Sequence, residues 1–237
     1  MRVWDLDPGY LNRASLLGEH RELHGIVAIL RDGKTGYSRH PETLRWRGHG
    51  WALSQRHRLL AAEMALRGYV DRSPVRLRAN PRQWPEIFLN PPGEQLLLLA
   101  GKYRDRPPGR IPLPRNSQQL WAQHKYSVLA RDPAAYRQIG RELAVGHGDQ
   151  DCEELALRLV QLLRRPPEPG HLRNAIQHMW GYVAACSRLS GSGINHLAPS
   201  TLLREIQHLA LAHRITYLIE STALGELAAW PDRQPRQ

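Results

Sequence analysis

Proline sets the tightest limit on what this chain can build. Pro74, Pro81, Pro85, Pro91, Pro92, Pro107, Pro108, Pro112 and Pro114 crowd one stretch and break any long element there. On either side, apolar residues recur at the three- and four-residue spacing of a helix face. Leu16, Leu23, Ile26, Val27 and Leu30 do so before the prolines, and Leu155, Leu159, Leu162 and Leu163 after them. The alternation of a half-buried strand is missing throughout, and there is no internal repeat. The expected class is all-α, with two helical domains joined by a Pro-rich connector. The segments are 1–78, a basic connector at 79–116, and 117–237.

Local signals place the elements. Asp7-Pro8 is a helix start, and Asp32-Gly33 ends the same helix. Lys34 to Pro41 is polar and reads as a loop. A second helix is expected from Trp51 to Arg67, stopping at Gly68. Within the connector, Leu96 to Ala100 reads as one short buried segment, and Trp84 and Phe88 predict that the connector wraps the first domain. Later helices are expected over 118–129, 133–144 with Asp132 as N-cap, 152–165, 173–187 and 202–224.

Composition excludes several classes. Of 237 residues, 41% are hydrophobic and 23% charged, enough for a core and against disorder throughout. No run approaches the roughly 18 apolar residues of a membrane span, and the start has no apolar signal region. The expectation is a cytoplasmic protein without a membrane partner. Cys152 and Cys186 are the only cysteines, so neither a disulfide framework nor a cysteine zinc ribbon is possible. The net charge is +11, with 20 Lys+Arg against 11 Asp+Glu in residues 1–116 and 13 against 11 in the rest. A positive field so concentrated suits an anionic partner such as nucleic acid. Only Lys34, Lys102 and Lys125 are lysines, so a genome-wide preference for arginine is an equal explanation of the charge.

The first 75 residues carry three distinctive pieces: Met1-Arg2-Val3, the run Gly18-Glu19-His20-Arg21-Glu22-Leu23, and Leu66-Arg67-Gly68-Tyr69. They resemble the pyrimidine-dimer DNA glycosylase family of the phage endonuclease V type. The segment from Lys34 through Tyr37, Arg39 and Arg45 to Trp46 resembles its bacterial branch. The resemblance implies a glycosylase with lyase activity, in which an α-amino group attacks C1′ of a damaged nucleotide. An α-amino group has a pKa near 8, against roughly 10.4 for lysine, so a useful fraction is neutral without special tuning. Carried over residue by residue, Met1 supplies the amine and Glu22 the carboxylate that stabilises the cationic sugar and moves protons. Arg2 and Arg21 would hold phosphates beside a flipped base. The phage enzymes expose a threonine after the initiator is removed. Here Arg2 follows Met1, and its bulk blocks trimming. Ser15 and Gly25 stand where those enzymes have a histidine and an arginine.

Other residues of this segment have plainer readings. Taken alone, Glu22 is an ordinary helix carboxylate. His24, Lys34, Arg39, Arg45 and Arg47 are candidates for contact with the nucleic-acid backbone, with Tyr37, Trp46 and Trp51 either stacking on bases or lying in the core. His20 and His24 share a helix face in the manner of metal ligands. Glu22 is not where a His-Glu-x-x-His zinc motif would put it, however, and no third ligand is identifiable. The expectation is therefore no metal and no cofactor.

In the second half, three stretches resemble the YbgA-like family of uncharacterised helical domains. They are Leu120 to Tyr126, Tyr136 to Arg141, and Asn174 through His178 to Tyr182. The resemblance implies a nucleic-acid accessory role. His124, Lys125, Tyr126, Arg141, Asn174 and His178 are expected to form a polar pocket, or else a buried network that fixes helix packing. The leading expectation is a DNA repair glycosylase and abasic-site lyase acting on damaged double-stranded DNA. The alternatives are a non-catalytic DNA- or tRNA-binding protein and an enzyme on modified nucleobases.

Overall fold

The computed structural model describes residues 1–145, 152–187 and 191–230. Residues 146–151, 188–190 and 231–237 of the expected third segment lie outside it. Among the described residues every regular element is a helix. After a single 3-10 turn at Pro8–Tyr10 come α1 (Arg13–Asp32), α2 (Pro41–Trp46), α3 (Gly50–Leu66), α4 (Pro92–Lys102), α5 (Ser117–Leu129) and α6 (Pro133–Val145). The second half adds α7 (Cys152–Leu163), α8 (Pro169–Trp180), α9 (Gly191–Ile194), α10 (Pro199–Ala212), α11 (Thr216–Ile219) and α12 (Ala223–Glu226).

Asp7-Pro8 starts only the short turn, with the Asp7 carboxylate accepting from the Gly9 amide. The long helix begins later, where Asn12 accepts from the Ser15 amide, and ends at Gly33 in the left-handed conformation. The expected buried segment at Leu96–Ala100 is the core of α4. Pro91-Pro92 opens that helix rather than breaking it, because a proline in the first turn gives up only an amide that has no helical partner. The expected 202–224 helix is three pieces. The chain leaves α10 at His213, and Arg214 takes a positive φ of 54°.

Two apolar clusters form the interior. The larger gathers Leu16, Leu23 and Ile26 of α1 and Leu53 and Leu60 of α3. To these it adds Leu99 and Ile111 from the connector, Leu120 of α5, Ile139 of α6 and Leu159 of α7. The smaller lies among the other face of α5, α8, α10 and the turns around Leu218 and Leu224. The connector is bound down along its length. The Ile111 amide donates to the Gly9 carbonyl at 2.9 Å, and the Trp84 indole to the Arg164 carbonyl at 2.9 Å. No described helix is long and apolar enough to cross a membrane.

Candidate functional site

The chain start lies against α1 and the first turn of α4. The Arg2 amide donates to the Glu22 carboxylate. Covalent geometry keeps the Met1 nitrogen within about 4 Å of the Arg2 nitrogen. Amine and carboxylate therefore share one small region, with the Met1 side chain packed on the larger core. The Arg2 guanidinium lies 4.2 Å over the Trp4 ring and donates to Asn90 Oδ1 at 2.8 Å. Asn90 in turn donates to Glu94 Oε2 at 2.9 Å. Gln95 accepts from the Asp5 amide at 2.8 Å and donates to the Asp5 carboxylate at 2.9 Å. Trp4, Asn90 and Gln95 thus fix the chain start, an arrangement with no local sequence signal. The connector residues are some ninety positions away and follow prolines that read as breakers.

Buried ion pairs support this arrangement from behind. Arg56 of α3 donates to both Glu19 oxygens at 2.7 and 2.9 Å and to the Leu6 carbonyl at 2.7 Å. Burial raises the Glu19 pKa, and the guanidinium opposes that shift. One clamp therefore holds α1, α3 and the segment leading from Met1.

The expected phosphate-binding residues divide. Arg21, Lys34, Arg39 and Arg47 are exposed, as that role requires. Arg2 is half-buried and tied to Asn90. Arg45 departs from the expectation. Its side chain is 3% exposed and pairs with Asp5 and with Glu42, the latter at 3.0 Å. It also donates to the Ile87 carbonyl at 2.9 Å. The Asp5 and Glu42 carboxylates need a buried cation, and Arg45 supplies it, so its charge is spent inside the protein. Among the aromatic residues, Trp46 is buried and Tyr37 is 65% exposed. His24 turns toward two other histidines, His20 and His57, with ring centroids 4.7 and 5.0 Å away.

The polar pocket expected in the second half splits in two. Residues 124 and 126 lie about 200° apart around α5, so their side chains leave opposite faces. His124 points inward, where its Nδ1 lies 2.8 Å from the Leu120 carbonyl and 3.4 Å from the Tyr10 hydroxyl. Burial lowers its pKa to about 4. Tyr126 leaves the opposite face and is buried at 5% exposure in the smaller core, and Lys125, His178, Tyr182 and Tyr217 gather around it toward the surface. The Tyr182 and Tyr217 rings stack at 4.7 Å, and the Lys125 ammonium lies 5.0 Å over Tyr217. The Tyr126 and His178 rings stack at 6.5 Å. Arg141 and Asn174 are exposed and, among the described residues, neither joins this cluster.

Residues 1–77 match the family model described as pyrimidine dimer DNA glycosylase. Residues 125–190 match that of a protein of unknown function, DUF1722. No curated protein and no solved structure matches the chain. The protein therefore joins a segment similar to DNA repair glycosylases to a helical segment similar to a family whose function is unknown.

Proposed function

We propose that the protein is a DNA glycosylase and abasic-site lyase acting on pyrimidine dimers, with the Met1 amine as nucleophile. The observation that carries this reading is the bond from the Arg2 amide to Glu22, within the segment that matches the glycosylase family. The neutral amine forms a bond to C1′, and the glycosidic bond breaks with its electron pair leaving on the base. Loss of an amine proton and opening of the sugar ring give a protonated Schiff base. Removal of a C2′ proton then expels the 3′ phosphate, and water frees the enzyme. Glu22 stabilises the cationic sugar and carries protons between amine and sugar. Arg2 and Arg21 hold the flanking phosphates.

Borohydride trapping of untagged protein on duplex DNA tests this, with a cyclobutane dimer in one substrate and an abasic site in the other. An adduct at the Met1 amine is expected, and an N-terminal extension abolishes it. Glu22→Gln should lower turnover on the dimer by at least about a hundredfold, the lower end for general acid–base groups. Absence of any adduct on both substrates, with binding intact, would overturn the reading.

The stacked tyrosines favour a second reading for the other half, a nucleic-acid-binding surface. The exposed Tyr182 ring, stacked on the half-buried Tyr217 that carries the Lys125 ammonium, suits a single-stranded base and its phosphate. Tyr182→Ala should weaken binding of single-stranded DNA or RNA while leaving helix content unchanged. Equal affinity would remove this reading.

A further inference from the structure

Four side chains from three places converge beside α1. His20 and His24 stand one turn apart on that helix, His57 comes from α3, and Asp71 follows the turn at Gly68, where φ is +80°. The three imidazole centroids lie 4.7, 5.0 and 5.1 Å apart. His20 Nε2 is 3.3 Å from one Asp71 oxygen, and His57 Nε2 is 3.6 Å from the other. One donor atom from each of the four residues can be chosen so that all lie within 4.8 Å of one another. Asp71 is held in place by the Ser73 amide at 3.0 Å.

The cluster is unsatisfied as it stands. The Nε2 atoms of His20, His24 and His57 are all buried, and among the described residues none makes a hydrogen bond of good geometry; two of them face only the Asp71 carboxylate, at 3.3 and 3.6 Å. A buried polar atom left unpaired costs about 1–3 kcal/mol, and folded proteins avoid it. Three such atoms turned on one point, with a carboxylate beside them, are the donor set of a tetrahedral metal ion. A site with bonds near 2.0–2.1 Å separates its donors by about 3.3 Å, so the nearer pairs already fit and the widest, within 4.8 Å, must close by up to about 1.5 Å.

We propose that His20, His24, His57 and Asp71 bind a divalent transition metal, with zinc the best fit to three imidazoles and one carboxylate. Four protein ligands leave no open position, so the ion is structural. It joins α1 to α3 and to the chain beyond Gly68. Glu22 lies between His20 and His24 in sequence but about 200° around the helix from His20. The metal therefore fixes the helix that presents Glu22 without entering the Met1 site, and the proposal holds whether or not the glycosylase reading does.

The test uses the full chain with every affinity tag removed, expressed with zinc supplementation. Elemental analysis should find one zinc per chain. Replacement by Co²⁺ should give the visible absorption of a tetrahedral ion with nitrogen and oxygen ligands. His24→Ala and Asp71→Asn should each weaken Co²⁺ binding at least about tenfold, since even outer residues of metal sites cost 10–100-fold when changed. His213→Ala, at an exposed histidine elsewhere, should not. Because the buried His57 variant is the one most prone to misfold, the half-buried His24 variant carries the test, with its fold checked by circular dichroism. Two results would overturn the proposal: a folded protein that binds neither Zn²⁺ nor Co²⁺, or full binding retained in both ligand variants.

Discussion

At the scale of single residues, burial decides which charges are free to act. Asp7 and His124 line the same internal cavity, with Trp4, Tyr10, Arg56 and Arg164. Burial, reinforced by Glu63, raises the Asp7 pKa to about 7, while burial alone lowers His124 to about 4. The two act on stability with opposite signs. Between about pH 4 and 7 the folded state keeps the Asp7 proton that the unfolded chain has lost, so this group makes stability fall as pH rises. His124 is neutral when folded and charged when unfolded below about pH 6.5, so its contribution is lost as pH falls toward 4. Asp7→Asn keeps the oxygen that accepts from the Gly9 amide and removes the charge. Its stability relative to wild type should be near zero at pH 4 and grow to a few kcal/mol by pH 8, on the order of the shift itself. Chemical denaturation across that range checks it, and a gain that is flat with pH would refute it. Arg45 teaches the same lesson. Its position among aromatic and basic residues was visible in the sequence, but its burial between Asp5 and Glu42 was not.

Helices are held together by a few buried contacts as much as by their apolar faces. The Glu19–Arg56 clamp is 0% and 3% exposed and has no water to fall back on. Removing one partner strands the other, so Glu19→Gln should cost about 3–5 kcal/mol in urea denaturation. A loss below about 1 kcal/mol would show the pair is not isolated from water. Where α4 meets α7, a Cβ at Gly93 would lie 2.7 Å from the Glu153 Cα, a backbone atom that cannot swing aside. Gly93→Ala should therefore destabilise the fold by about 1–3 kcal/mol, the usual cost of overpacking, despite alanine's better helix propensity. A stabilised variant in thermal melts would contradict this.

Across the whole molecule, contacts tie residues far apart in the chain. Glu63 of α3 accepts from Arg67 at 2.7 Å and from Arg110 at 2.6 Å, and Arg110 also reaches the Ile219 and Ser221 carbonyls. Arg131 pairs with Glu226 at 2.8 Å in a buried contact. Since one apolar cluster runs from α1 through the connector to α7, unfolding should be a single transition. Tryptophan fluorescence and far-ultraviolet circular dichroism should coincide, and two separated transitions would disprove it.

Helix periodicity, caps and proline positions are local properties, so the sequence by itself determined the all-α class, the spans of α3, α5 and α6, and the nearness in chain order of Arg21 to Glu22. Met1 and Glu22 could be paired beforehand only through family resemblance, because nothing local says that the chain start folds back onto α1. The third and fourth members of the histidine cluster, His57 and Asp71, stand 33 and 47 residues beyond His24. Only the packing of α3 on α1 and the turn at Gly68 bring them to it. Tertiary structure alone likewise decided that Arg45 is buried, that His124 faces away from Tyr126, and that Asn90 and Gln95 fasten the chain start. Each of these depends on which face of a helix meets which neighbour, and that choice is made by the shared core rather than by local spacing.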